Sequence, residues 1–276
     1  MPPMNNRLMR PKSSGFAGPK SLAGLVGWWD ASDSMSLYNA TTGGSAVAAD
    51  GTVARWEDRS GVGNHLTQSV VNNRPVMRAA AIGGRNAVEA DGTDDFLQLT
   101  TEISARAFTV FAVMKRTSGT VGDLLVAGNW LDDPDNLYGG SKGLPVLLYD
   151  SPEAAGTYTY GYRPQAGRFV TAAAMPRSLG DTTAAVMTAS FDNPVFQRPD
   201  TYKNGTVQTT TGGYLLPSPE KSFAYVLGVQ TTASGVPSYV FSSLGMIGEI
   251  VWYDRKLTAT NRALVEKYLK TKWGTP

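Results

Sequence analysis

Gly27-Trp28-Trp29-Asp30 near the start of the chain and Glu249-Ile250-Val251-Trp252-Tyr253-Asp254-Arg255 near its end decide the architecture. Each is a short apolar, aromatic run closed by an acidic residue, the pattern of a buried strand running into a polar corner. Core strands at both ends imply that the residues between them close into one domain. Nothing between the two strings resembles a linker, and β sandwiches of this length fold as single units.

The chain has 276 residues, 42% hydrophobic and 17% charged, with 30 Gly and 16 Pro. That composition supports a large core with many turns and excludes a disordered chain. No apolar run reaches the roughly 18 residues of a membrane span, and the start lacks the apolar core of a secretory signal. The sequence therefore predicts neither a membrane segment nor Sec-type export. With no Cys, disulfides, thiolate metal sites and cysteine nucleophiles are excluded together. The net charge of +2 is too small to call for a nucleic-acid partner, but it is unevenly placed. Arg7, Arg10, Lys12 and Lys20 stand in a stretch with no acidic residue, while the remainder holds 21 basic and 23 acidic residues, a net −2.

Residues 1–21, with Pro at 2, 3, 11 and 19, carry neither a helical nor an alternating pattern and read as an extended basic arm. From Leu22 onward, short β-prone runs alternate with turn clusters, which favours a two-sheet sandwich over any βαβ arrangement. The clearest hairpin turns at Asn204-Gly205, residues that accept the positive φ angles of a type I′ turn. Another run predicts a strand over 157–162, with Tyr158, Tyr160 and Tyr162 on one face. One helix closes the chain. Thr258 is its predicted N-cap, Leu264, Val265, Tyr268, Leu269 and Trp273 form its apolar stripe, Glu266 lies on its polar side, and Gly274 stops it.

Taken in order, Gly24-Leu25-Val26-Gly27-Trp28-Trp29-Asp30-Ala31-Ser32-Asp33, Val53-Ala54-Arg55-Trp56-Glu57-Asp58-Arg59-Ser60-Gly61-Val62-Gly63-Asn64-His65 and Asp91-Gly92-Thr93-Asp94-Asp95-Phe96-Leu97 resemble the concanavalin A-like, laminin-G-type jelly-roll family. The Tyr202-Lys203-Asn204-Gly205 hairpin and the run from Ile247 to Thr258 fit the same pattern. The resemblance implies an all-β fold over residues 22–276: two curved antiparallel sheets with a short C-terminal helix. It also implies a repertoire of sugar binding, adhesion, glycan cleavage or structural display, among which fold alone does not choose. A narrower resemblance, carried by the run from Asn6 to Phe16, is to the start of laminin-G-like proteins of tailed bacteriophages.

The residues offer little familiar catalytic chemistry. Glycosidases of this fold space two or three carboxylates along one strand for retaining catalysis, whereas Glu249 is followed by Ile250-Val251-Trp252-Tyr253. His65, the one histidine, sits in a Gly-rich turn. The expectation is a protein without enzymatic activity. Asp91, Asp94 and Asp95, and separately Asp132, Asp133 and Asp135, could supply oxygens to a structural Ca²⁺, but Asp-Gly and loop contexts favour turns, so no cofactor is expected. Trp130, Tyr138, Tyr158, Tyr160 and Tyr162 are the candidate glycan contacts, since exposed aromatics stack on sugar faces. The same tyrosines suit an inner sheet face or a subunit contact.

Arg7, Arg10, Lys12 and Phe16 are the candidate partner-anchoring residues. Four cations and one aromatic are few for nucleic acid, and suit an extended segment lying along another protein. The expected function is a structural protein of a bacteriophage virion, decorating the capsid or associated with the tail. Its arm would bind other virion proteins, its jelly roll would face outward, and it would form homo-oligomers as symmetric particles favour. The alternative is a carbohydrate-binding adhesin or receptor-binding module for a host-surface glycan, with a polysaccharide-active enzyme a distant third.

Overall fold

The computed structural model describes residues 15–104, 107–117, 124–128, 146–153, 157–159, 161–165, 168–171, 175–176, 183–192, 200–208, 222–226, 230–231, 237–238 and 244–276. In chain order the strands are β1 Leu25–Asp30, β2 Leu37–Tyr38, β3 Arg55–Trp56, β4 Leu66–Thr67, β5 Val76–Ile82, β6 Arg85–Asp91, β7 Leu97–Ser104 and β8 Ala107–Lys115. They continue as β9 Leu124–Gly128, β10 Val146–Glu153, β11 Thr157–Thr159, β12 Gly161–Gln165, β13 Arg168–Thr171, β14 Met175–Pro176 and β15 Ala185–Asp192. The last are β16 Asp200–Lys203, β17 Thr206–Gln208, β18 Ser222–Val226, β19 Gln230–Thr231, β20 Pro237–Ser238 and β21 Leu244–Tyr253, before the helix α1, Ala259–Trp273.

The described strands form two main antiparallel sheets. The first runs β17-β16-β15-β8-β21-β6-β5, and β1 shares an edge of β21 with β6. The second runs β14-β11-β10-β9-β18-β7-β4-β3-β2. Between them lies a core containing Trp29, Trp56, Leu66, Leu97, Phe108, Val110, Ile250 and Trp252, each fully buried. The other face of the first sheet is covered by α1, giving a second apolar layer of Phe111, Val113, Val186, Val251, Tyr253, Val265, Leu269 and Trp273. Strand β8 explains how one sheet serves two cores. Its run Phe108 to Met114 is buried throughout, as a strand covered on both faces must be.

The two end strings are neighbours, with Asp30 of β1 opposite Glu249 of β21. The hairpin turns as expected, with φ of 51° at Asn204 and 82° at Gly205. Thr258 caps α1 by accepting the Asn261 N–H, and Gly274 ends it in the left-handed conformation.

Four differences from the sequence reading have physical causes. The strand expected over 157–162 is divided: β11 joins β10 and β14 in the second sheet, whereas β12 pairs with β13 in a separate two-stranded sheet. Strand β5 was not anticipated, because Ala79-Ala80-Ala81 has weak strand propensity and Ala80 adopts φ of 50° where the register with β6 shifts. Glu266 is buried on the helix face assigned to the core, while Leu264 is only half-buried. Thr188 and Arg262 make that burial tolerable by pairing with the carboxylate. Finally, residues 15–21 of the expected arm lie on the body. Pro19 is buried, Phe16 and Leu22 pack on the helix-side core, and the Tyr253 hydroxyl donates to the Pro19 carbonyl at 2.9 Å.

Candidate functional site

The ends of the chain meet in a polar cluster beneath α1. Glu249, fully buried, accepts from Trp28 Nε1 at 2.7 Å, Trp273 Nε1 at 2.7 Å, Tyr268 OH at 3.1 Å and Lys272 Nζ at 2.6 Å. Lys272 Nζ also reaches Asp30 Oδ2 at 2.5 Å. Burial and then the Asp30 charge push the Glu249 carboxyl up, and Lys272 and Trp273 oppose that shift. Two carboxylates share one ammonium in a largely buried site, so the geometry clamps the helix to β1 and β21. Gly248 leaves the space this needs, since a Cβ there would stand 2.7 Å from the Trp273 ring.

The Asp58 to His65 turn is a second knot. Asp58 accepts from the backbone of Trp28, Ser60, Gly63 and Asn64 and from the Ser60 hydroxyl. His65 Nδ1 accepts the Asp58 N–H at 3.1 Å, which fixes His65 as a turn residue.

The outer face of the second sheet presents a different arrangement. Cross-strand register aligns Tyr38, Arg55, Thr67 and Gln98 on neighbouring strands. Their partners in sequence, Leu37, Trp56, Leu66, Leu97 and Leu99, point into the core, so the aligned four face outward. At the usual strand spacing the row is about 14 Å long. The Arg55 guanidinium lies 4.3 Å from the centre of the Tyr38 ring and bonds Glu57 Oε1 at 3.2 Å. Arg55 is 8% exposed, whereas Gln98 lies in the open. The row thus combines an aromatic ring, a fixed guanidinium–carboxylate pair, a hydroxyl and a free-standing amide. Alternation could have flagged it, but its members lie in runs too short to mark a face.

Asp91, Asp94 and Asp95 do converge, with one oxygen of each within 4.8 Å of the others. Their oxygens also close the loop: Asp95 accepts the Asp91 N–H and Asp91 accepts the Thr93 N–H. These bonds are those of a turn, and Ca²⁺, which takes six to eight oxygens, would need ligands beyond one oxygen from each of the three carboxylates. Burial, then the Asp91 charge, raise Asp95 from 3.8 to about 6. A carboxyl whose folded pKa is raised resists ionisation only in the folded state. Its cost is absent below pH 4, grows between pH 4 and 6, and is complete above, at about 3 kcal/mol for a shift of roughly two pH units. Asp95→Asn, which keeps the acceptor, should therefore raise stability at pH 7 by up to about that amount and flatten urea midpoints between pH 4 and 6. Equal pH dependence in both proteins would contradict this.

Of the residues singled out from the sequence, Phe16 packs edge-on against Tyr268 at 6.1 Å, inside the protein's own helix-side layer. Arg7, Arg10, Lys12, Trp130, Tyr138, Tyr160, Asp132, Asp133 and Asp135 lie outside the described residues. Tyr158 falls in β11 and Tyr162 in β12, in different sheets, so the structure does not bring them onto one strand face. No helix among the described residues is long and apolar enough to cross a membrane.

No family model matches the sequence, and no curated protein does either. Solved structures do. Domain 4 of AbnA, a GH43 extracellular arabinanase from Geobacillus stearothermophilus solved with arabinotriose, aligns with a TM-score of 0.51 at 14% identity, covering 88% of this chain and 97% of that one. The binding domain of Paraclostridial Mosquitocidal Protein 1 aligns at 0.51 with 11% identity, covering 94% of this chain and 56% of that one. Trypanosoma rangeli sialidase aligns at 0.48 with 16% identity over 92% of this chain, which spans about a third of the sialidase, 34%. At these identities the likeness establishes a β-sandwich of jelly-roll type. The expectation of a protein without enzymatic activity is corrected here: a domain of a glycoside hydrolase shares this fold, so the fold does not set this chain apart from enzymes.

Proposed function

We propose that this chain is a carbohydrate-binding β-sandwich module that receives a glycan across the outer face of its second sheet. The carrying observation is the row Tyr38, Arg55, Thr67 and Gln98, with Glu57 fixed beside Arg55. A ring face, a charge-assisted donor–acceptor pair and an amide are the groups that hold the apolar face and paired hydroxyls of a sugar. The row's length suits a short oligosaccharide better than a single ring. Domain 4 of the arabinanase, similar in fold and solved with arabinotriose, supports the same ligand class.

The test is affinity for a panel of arabino-, gluco- and galacto-oligosaccharides, measured by calorimetry on the full chain. At least one should bind, Gln98→Ala should weaken it about tenfold with an unchanged unfolding midpoint, and Tyr38→Ala should weaken it by a similar factor. Binding that ignores both substitutions, or a panel without a ligand, would sink the reading.

The proposal extends to the setting. The acid-free stretch holding Arg7, Arg10 and Lys12 leads directly into a root held on the body by Phe16 and Pro19, which supports an arm able to fasten the module to a virion protein. A capsid or tail attachment, with many copies displaying one glycan-recognising body, is the arrangement this favours.

A further inference from the structure

The turn from Asp58 to His65 uses only one of the two imidazole nitrogens. Nδ1 accepts the Asp58 N–H, so in the neutral ring the proton sits on Nε2, which becomes a donor held in one direction. Nε2 has no partner among the described residues, and it reaches solvent.

Register sets what lies beside it. Arg55 pairs with Thr67 and Trp56 with Leu66, so the next step along β3 and β4 brings Glu57 opposite His65. On the other side, the Thr100 N–H of β7 donates to the His65 carbonyl at 2.9 Å. Trp56, Leu66 and Leu99 are buried in the core, so their neighbours Glu57, His65 and Thr100 face outward together with Arg55, Thr67 and Gln98. The outer face of the second sheet therefore carries a further row beside the first. It is polar throughout.

Residues directly opposite in an antiparallel pair have Cβ atoms about 5 Å apart. Glu57 gives Oε1 to Arg55 at 3.2 Å, and its Oε2 has no partner among the described residues and reaches solvent. A carboxylate oxygen steadied by Arg55 thus stands next to an imidazole N–H steadied by the turn. One accepts and the other donates. A hydroxyl can do either, so two adjacent hydroxyls of a sugar match the pair, one donating to Glu57 Oε2 while its neighbour accepts from His65 Nε2. We infer that Glu57 and His65 form a diol-reading pair that selects which saccharides the second-sheet site accepts, namely those presenting two adjacent free hydroxyls across β3 and β4. The inference rests on the glycan-binding reading of that face and adds to it a residue whose turn contact leaves Nε2 unused.

NMR of the full chain tests the pair with arabinotriose, cellotriose and galactose, added separately. In the free protein the imidazole nitrogens should report hydrogen on Nε2 and an accepting Nδ1. At least one sugar should then shift His65 Nε2 and the Gln98 amide along one binding curve, and the O-methylated form of that sugar should leave the ring unmoved. His65→Asn keeps an acceptor for the Asp58 N–H where Nδ1 stands and offers nothing at Nε2. It should weaken binding about five- to tenfold with an unchanged unfolding midpoint. A sugar that shifts Gln98 while the ring stays silent would overturn the pair and leave the first row standing. A methylated sugar that still moves the ring would overturn the diol class. Should no sugar move either residue, the pair and the row fail together.

Discussion

Glu249→Ala will cost about 3–5 kcal/mol of folding free energy, the range for breaking a buried ion pair from one side. The substitution strands the indole N–H groups of Trp28 and Trp273 and the Tyr268 hydroxyl, all of which donate to this carboxylate. Lys272 would keep Asp30 and the Tyr268 hydroxyl. Because these donors come from β1 and α1, the loss detaches the helix from the sheet rather than loosening one side chain. Glu249→Gln should fall between, since an amide oxygen still accepts but no longer balances the ammonium. Urea denaturation of the three proteins at pH 7 measures the series. A loss below about 1 kcal/mol for the Ala variant would mean that the cluster does not clamp the helix.

Removing residues 1–22 will cost about 3–5 kcal/mol more than removing residues 1–14. The longer truncation takes away Phe16, Pro19 and Leu22, apolar groups worth roughly 1–2 kcal/mol each when partly buried. It also removes the carbonyl that accepts from the buried Tyr253 hydroxyl. The shorter one leaves every one of these contacts in place while deleting Arg7, Arg10 and Lys12. Thermal unfolding compares the two, and equal melting temperatures would refute a packed root. The pair also separates folding from attachment, because only the shorter truncation tests the anchor on an intact body.

Much of this architecture was legible because its signals are local. The Trp28-Trp29 run, the largely apolar Phe108 to Met114, the Asn204-Gly205 turn and the capped helix from Thr258 to Gly274 each announce themselves within one window. Strand β5 did not, because its alanines carry no preference and a shifted register breaks its alternation. The division between β11 and β12 escaped for another reason. Continuous tyrosine alternation from 158 to 162 looks like one strand, and only pairing partners reveal two.

The candidate sites were less legible than the fold. Tyr38, Arg55, Thr67 and Gln98 are ordinary residues of short strands, and only lateral register makes them a row. Glu266 had every mark of a solvated position, and only the packing of α1 on the first sheet shows it buried beside Thr188.

By itself, then, the sequence determined the all-β class, the limits of the closing helix and the membership of both end strings in one core. Each of these follows from periodicity and turn chemistry within a few neighbours. The tertiary structure alone decided what the acidic residues at those strings do: Asp30 and Glu249 face each other across β1 and β21 and share Lys272. The bond from Trp28 to Glu249 joins residues 221 apart, and no pattern along a chain reports which distant donors will neutralise a buried charge. That choice is made by packing, because a carboxylate leaves water only where its partners are already assembled.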